Sequence, residues 1–349
     1  MSAQGYSTAL SRNQIRAAQG MLEHAQPVIV LGDFGEQKEM PKNNTDTLVF
    51  RRVLPFGAVT TGSGIGGNQY VGAPNITPNN FLLSEGVTPN SNTVSFQDVS
   101  VQLQNFGVLY KFTSKTENLY EDAIPAEMQK LVGETLGEVL ELVRYGILKA
   151  GTQVIYANGA SRGSVNSPIS LNKIRQGARV LESNRARRIT AKLAGGIDFS
   201  AKGIPPSYLV FVHTDVVGDV RNLPGFQTSV VYGKTVHARE FGAVEEFRFI
   251  SSPLLNPFLA SGSTSINGMV SVGGANVDVY PVLIVAESAW GQVALKGMGA
   301  ITPRIISSND TNHANPMGMF GYVGASTWFN AVRLNDSFML RVECGVTNL

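Results

Sequence analysis

The sequence predicts an α+β fold. Three observations carry it: one helical pattern far longer than any other, long β-type alternation outside it, and no repeating strand, helix, strand order. No internal repeat is present.

In chain order, Ser11-Arg12-Asn13-Gln14 fits a capping box, and Ile15, Ala18 and Leu22 follow at helical spacing up to Glu23, predicting a short helix. From Gln26 to Asn44 one brief apolar run, Val28 to Leu31, gives way to polar residues and Pro41, which reads as an extended arm. Between Thr45 and Thr116 the period becomes two. Leu48 to Val53 forms one strand, and Val94 to Phe112 a second, longer alternation. In the latter Val99, Val101 and Leu103 share one parity, while Phe106, Val108, Tyr110 and Phe112 share the other, so a β-bulge is expected at Gln104 and Asn105. The stretch between the strands, Gly57 to Asn92, is rich in Gly, Pro, Asn and Thr. A loop that long predicts a hairpin arm that packs on another subunit.

Glu121 to Gly151 is the long helix: Asp122 caps it, Pro125 suits the first turn, and Lys149 and Gly151 suit the end. On a helical wheel Ile124, Met128, Leu131, Val132, Leu136, Val139, Leu142, Val143 and Ile147 share one face. Lys130, Glu134, Glu138, Glu141 and Arg144 share the other. Gly133 and Gly137 fall on the polar side, where each costs about 1 kcal/mol relative to Ala. Room for another backbone is the expected return, although tolerated surface glycine is equally common. The glutamates exclude lipid, and no apolar run reaches membrane length.

Further on, Gln153 to Ala157 reads as a strand, and Ser170 caps a helix with Leu171, Ile174, Ala178 and Leu181 on its core face. Tyr208 to Val212 reads as a buried strand, followed by a short helix from Asp215 to Asn222 that Pro224-Gly225 stops. More strands are expected at Ala243 to Ile250, Val277 to Ala286 and Phe338 to Val342. Arg162, Lys173, Arg175, Arg179, Arg185, Arg187, Arg188 and Lys192 make one basic segment with only Glu182 opposing. Lacking interleaved aromatics, it is no stacking platform for single strands. It can neutralise phosphates without reading sequence, or be a solvated or intersubunit charge cluster.

Only 15% of residues are charged, against about 25% in ordinary domains, while 43% are hydrophobic and 37 are glycine. Such a surface is short of solvating charge, as expected where other chains cover it; a Gly-, Ser- and Asn-rich β protein with long turns is the blander reading. A net charge of +2 is too mild to argue for nucleic acid by itself. Cys344 is the single cysteine, which rules out an intrachain disulfide and any multi-cysteine zinc site. No signal peptide pattern opens the chain, so a cytoplasmic setting is expected.

Three strings suggest chemistry. Gly62-Ser63-Gly64-Ile65-Gly66-Gly67 matches the dinucleotide fingerprint, but Asn68, Gly72 and Pro74 follow where a helix must start. Gly159-Ala160-Ser161-Arg162-Gly163 matches the nucleophile elbow, with Asp215 and His237 in hydrolase order. Its required helix is missing, so a serine hydrolase using Ser161 is the remote alternative. His24, His213, His237 and His313 lack ligand spacing. No catalytic residue, cofactor or metal is assigned.

Five segments in order carry a family resemblance: the arm QPVIVLGDFG with MPKNNTDTLVFRR, the SEGVTP turn, LKAGTQVIYANGASR, HTDVVGDVRNLPGF and GAVEEFRFI. Together they resemble the major capsid proteins of tailed double-stranded DNA phages, particularly a short-tailed group. That resemblance implies the Hong Kong 97-type shell fold. Its expected layout here is an N-terminal arm at 1–44, an extended loop at 45–116, a peripheral domain at 117–168 with the spine helix at 121–151, an axial domain at 169–296, and a return to the peripheral domain at 297–349. The implied function is a self-assembling icosahedral shell of pentamers and hexamers around the phage genome, assembled in the bacterial host cytoplasm. An encapsulin-like cargo shell is the runner-up. Expected partners are further copies of the chain, packaged double-stranded DNA without sequence specificity, a portal protein, a separate scaffolding protein and an optional decoration protein, with no membrane. On this layout a neighbour's extended loop is expected to cross the spine helix at Gly133 and Gly137, bringing Arg51 or Arg52 near Glu134, Glu138 or Glu141. Arg175, Arg179, Arg185, Arg187 and Arg188 are expected to face DNA.

Overall fold

A computed structural model describes residues 21, 29–41, 45–53, 60–61, 70–71, 78–86, 88, 91, 93–119, 124–189, 206–232, 235–264, 268–296, 302–311, 313 and 315–348. The expected N-terminal helix apart from Met21, His24, the helix cap Asp122, and the Gly62 to Gly67 string lie outside them.

The long helix runs Ile124–Lys149, and two sheets pack along it. The first has seven strands, in the order Val154–Tyr156, Met339–Cys344, Tyr280–Val285, Tyr208–Val212, Phe247–Ser251, Glu240–Val244, Gln227–Thr228. Its central strands are buried on both faces, which is why they read as continuous apolar runs. Val210, Val212, Phe249 and Ile284 point to one core, which the helix Leu171–Ser183 closes with Ile174, Ala178 and Leu181. Leu209, Phe211, Ile250 and Leu283 point to the other, where Leu140, Tyr145 and Leu148 of the long helix meet Val30 and Leu31 of the arm.

The second sheet is built on Phe320–Arg333, the longest strand. Gln104–Thr113 pairs with one edge of it, Thr302–Ile306 and Trp290–Leu295 with the other, and the arm strand Glu36–Met40 joins Trp290–Leu295 in parallel. Val132 and Leu136 of the long helix pack on Phe112, Val323 and Ala325.

Thr47–Val53 and Phe96–Gln102 form an antiparallel ribbon, with Phe50, Val99 and Val101 buried against Met40, Val293 and Val332. The parity slip after Leu103 is a change of sheet rather than a bulge. Phe96–Gln102 stays with the ribbon, Leu103 N–H donates to the Asp46 carbonyl at 2.9 Å, and Gln104–Thr113 departs to the second sheet. Each segment then keeps its own alternation against its own partner. The expected strand at Ala243 to Ile250 is a hairpin, Glu240–Val244 and Phe247–Ser251, turned at Glu245 with φ of 51°.

Candidate functional site

The arm meets the long helix through buried polar groups. Val30 and Leu31 N–H donate to Glu141 Oε1 at 2.9 and 2.5 Å. Arg144 Nη1 lies 3.3 Å from Glu141 Oε2, Arg144 Nε donates to Gln292 Oε1 at 2.8 Å, and Gln292 Nε2 donates to the Gly32 carbonyl at 2.6 Å. The circuit ties helix, arm and second sheet together, beside a cavity of about 280 Å³. Burial opposes both charges, raising the Glu141 carboxyl and lowering the Arg144 guanidinium relative to their ordinary pKa values.

This corrects the helical wheel. Glu141 and Arg144, placed on the polar face, are 0% and 7% exposed, whereas Leu131 and Leu142, placed on the core face, are 49% and 39% exposed. The buried stripe instead runs through Val132, Gly133, Leu136, Gly137, Leu140, Glu141, Arg144 and Leu148. Gly133 explains the rotation. A Cβ there would strike the Met21 carbonyl oxygen and come within 2.8 Å of Met21 Cα. Another backbone does use the room, and in the single chain it is the chain's own N-terminal segment. Glu141 is likewise spent on its own arm, so it is withdrawn as a contact for a neighbour, while Glu134 and Glu138 lie on the exposed side.

The other expected contact residues sit on the ribbon. Arg51 forks onto Asp98 directly opposite it, with Nε and Nη2 donating at 2.7 and 2.8 Å. Arg52 donates to Gln97 Oε1, and burial lowers its guanidinium to about 10. Both arginines are engaged within their own ribbon.

The basic segment is better neutralised than its sequence suggests. Arg175 forks onto Glu245 at the distant hairpin turn, and Arg188 pairs with Glu182 at 2.8 Å. Arg179, Arg185 and Arg187 are exposed, and no carboxylate partner is seen for them among the described residues. Arg162 belongs elsewhere, held by Glu343. Asp98, Glu245, Glu343 and Gln292 were missed as partners; only Asp98 had a sequence signal, since hairpin register places it opposite Arg51.

The structure does not assemble the hydrolase string into a triad. Ser161 Oγ lies 3.2 Å from Ser164 Oγ, Asp215 accepts from Tyr280 Oη at 2.7 Å, and His237 Nε2 lies 3.5 Å from Asp33 Oδ2. Each prospective member serves a separate contact. Among the described residues no group of three His, Cys, Asp or Glu side chains could hold a metal ion, and no helix is long and apolar enough to cross a membrane.

No family model matches the chain, and no curated protein matches it. Solved structures do. The capsid of Ralstonia phage GP4 superposes with a TM-score of 0.61 at 9% identity, covering 89% of this chain and 87% of that one. This is the Hong Kong 97-type capsid fold. The cyanophage Pam1 capsid matches with a TM-score of 0.58 at 13% identity over 93% of both chains. The head of Helicobacter pylori bacteriophage KHP40 matches with a TM-score of 0.55 at 11% identity over 89% and 87%.

Proposed function

We propose that this chain is the major capsid protein of a tailed double-stranded DNA phage, a subunit whose copies close an icosahedral shell of pentamers and hexamers. The near end-to-end correspondence with phage capsid subunits carries this reading. Surface chemistry supports it: Val49, Val53 and Phe96 share the outer face of the ribbon at 47%, 61% and 58% exposure, and Leu82 and Leu83 are more exposed still. Apolar groups gathered this way are ordinarily covered by a partner. Many weak contacts repeated by symmetry suffice for closure.

Within this reading the arm is assigned to 1–44, the extended loop to 45–116, the peripheral domain to 117–168 and 297–349, and the axial domain to 169–296. Arg179, Arg185 and Arg187 are the strongest candidates to face DNA, contributing sequence-independent phosphate neutralisation. Arg175 and Arg188 contribute less, their charge being shared with Glu245 and Glu182. A portal, a separate scaffolding protein and an optional decoration protein complete the partners, with assembly in the host cytoplasm.

The test is expression of the chain with and without its genomic neighbours, followed by electron microscopy and light scattering. Closed particles or capsomers are expected. A compact monomer that resists assembly with every candidate scaffold would overturn the reading.

A further inference from the structure

Three cations converge at the C-terminal end of the long helix, and the carboxylate among them is in direct contact with only two. Glu343, fully buried, accepts Arg162 through two bonds of 2.8 Å and lies 2.8 Å from Arg341 Nε. Arg341 also donates to the carbonyls of Lys149 and Gly151 at the helix end. Lys149 is left with neutral partners: the Asn256 carbonyl at 3.0 Å and the Phe258 ring, whose centroid is 3.8 Å from Nζ. Arg162 lies over that same ring at 3.5 Å. Two cations therefore crowd one aromatic ring in a partly desolvated place, with Arg341 a third at 5.9 Å from its centroid. Burial, then Arg162 and Arg341, hold Lys149 below the ordinary lysine pKa, with Glu343 opposing them only in part. An anion placed here would relieve the repulsion. Leu259, the residue after Phe258 in the chain, is 61% exposed and adds an apolar side chain to the neighbourhood.

The chain carries a segment of complementary chemistry. Phe81, Leu82 and Leu83, which end and follow the turn Pro78–Phe81, are 44%, 76% and 73% exposed. Ser84, Glu85 and Gly86, also exposed, come next. Successive apolar groups beside a carboxylate match a ring, a leucine and two cations. Polyphosphate would answer the cations but leave Leu259 uncovered.

We propose that the Phe81 to Gly86 segment of one copy docks on the Lys149, Arg162, Phe258 and Leu259 surface of another, with Glu85 against Lys149 and Leu83 against Leu259. This rests on the shell reading and names one contact by which its copies recognise each other. Electrostatic and apolar complementarity both enter, as in specific interfaces generally.

The experiment is a chain with Leu83→Cys and Leu259→Cys, assembled, oxidised and run on a non-reducing gel; its remaining thiol, Cys344, is buried. A ladder of multimers is expected from assembled material, absent from dispersed subunits and from chains carrying only one of the two introduced cysteines. In parallel, Glu85→Lys should cut particle yield about tenfold, on the scale of one lost interfacial charge pair, and adding Lys149→Glu should restore most of it. Because a glutamate at a helix C-terminus opposes the helix dipole, the cysteine pair decides should that variant melt early. Particles without a ladder, a disulfide closed within single chains, or Glu85→Lys assembling like wild type would each overturn the proposal. So would Lys149→Gln particles that lose only DNA retention, which would make nucleic acid the occupant. A wild-type chain that never assembles would instead overturn the shell reading, and this contact with it.

Discussion

The two sides of the seven-stranded sheet are held by different physics. On the side closed by Leu171–Ser183, Val210, Phe247, Phe249 and Ile284 are all within 1% of complete burial and the contacts are apolar. On the other, the arm adds Val30 and Leu31 to an apolar core, but its register is set by Glu141, Arg144 and Gln292. Apolar burial is non-directional and tolerates small shifts. A buried charge pair is directional and fails abruptly once one member is lost. The first side is suited to holding a domain together. The second is suited to seating a segment in one place only.

The largest effect should come from the apolar side. Phe249→Ala removes a fully buried ring and should cost about 4 kcal/mol of global stability in urea denaturation. A cost near zero would mean that this core is loosely packed.

Glu141→Gln tests the other side. It leaves the Arg144 guanidinium buried opposite an amide and should cost about 3 kcal/mol, concentrated where the arm is seated. Hydrogen exchange at Val30 and Leu31 should accelerate well before exchange in Tyr208–Val212 does. Uniform acceleration across both regions would erase the distinction between the two sides.

The same contrast explains what the sequence disclosed. Strands such as Tyr208–Val212 and the core face of Leu171–Ser183 were legible because apolar periodicity is a local signal that burial preserves. The phase of the long helix was not, because the pairs that set it join residues 111 and 148 positions apart and leave no periodic trace. Gly133 announced a close backbone approach without saying whose backbone it was. The slip at Gln104 announced an irregularity, but only the strand partners reveal a change of sheet. Likewise Arg175 looked unopposed until the fold brought Glu245 to it. The shell fold itself was legible through its five ordered segments, because each is a short stretch contiguous in sequence and its reading needs no pairing between distant residues.

The smallest expected effect concerns acid. His237 meets the arm: its Nδ1 accepts from Arg239 N–H at 3.0 Å, its Nε2 lies 3.5 Å from Asp33 Oδ2, and its ring packs beside Phe34. Burial lowers its pKa, Arg239 adding to the effect while Asp33 and Glu240 oppose it. The unfolded chain therefore takes up the proton first as pH falls. The stability gained by keeping the ring neutral is present above about 6.5 and is lost as pH drops through the lower, folded value. Glu141 has the opposite sign, since its raised pKa makes acid less costly to the fold. Comparison of wild type with His237→Gln separates the two, because Glu141 titrates in both. Between pH 7 and pH 5 wild type should lose more protection at the Val30 and Leu31 amides than the variant does. A wild-type arm that tightens over that interval would show that the protonated ring pairs with Asp33 strongly enough to outweigh its burial.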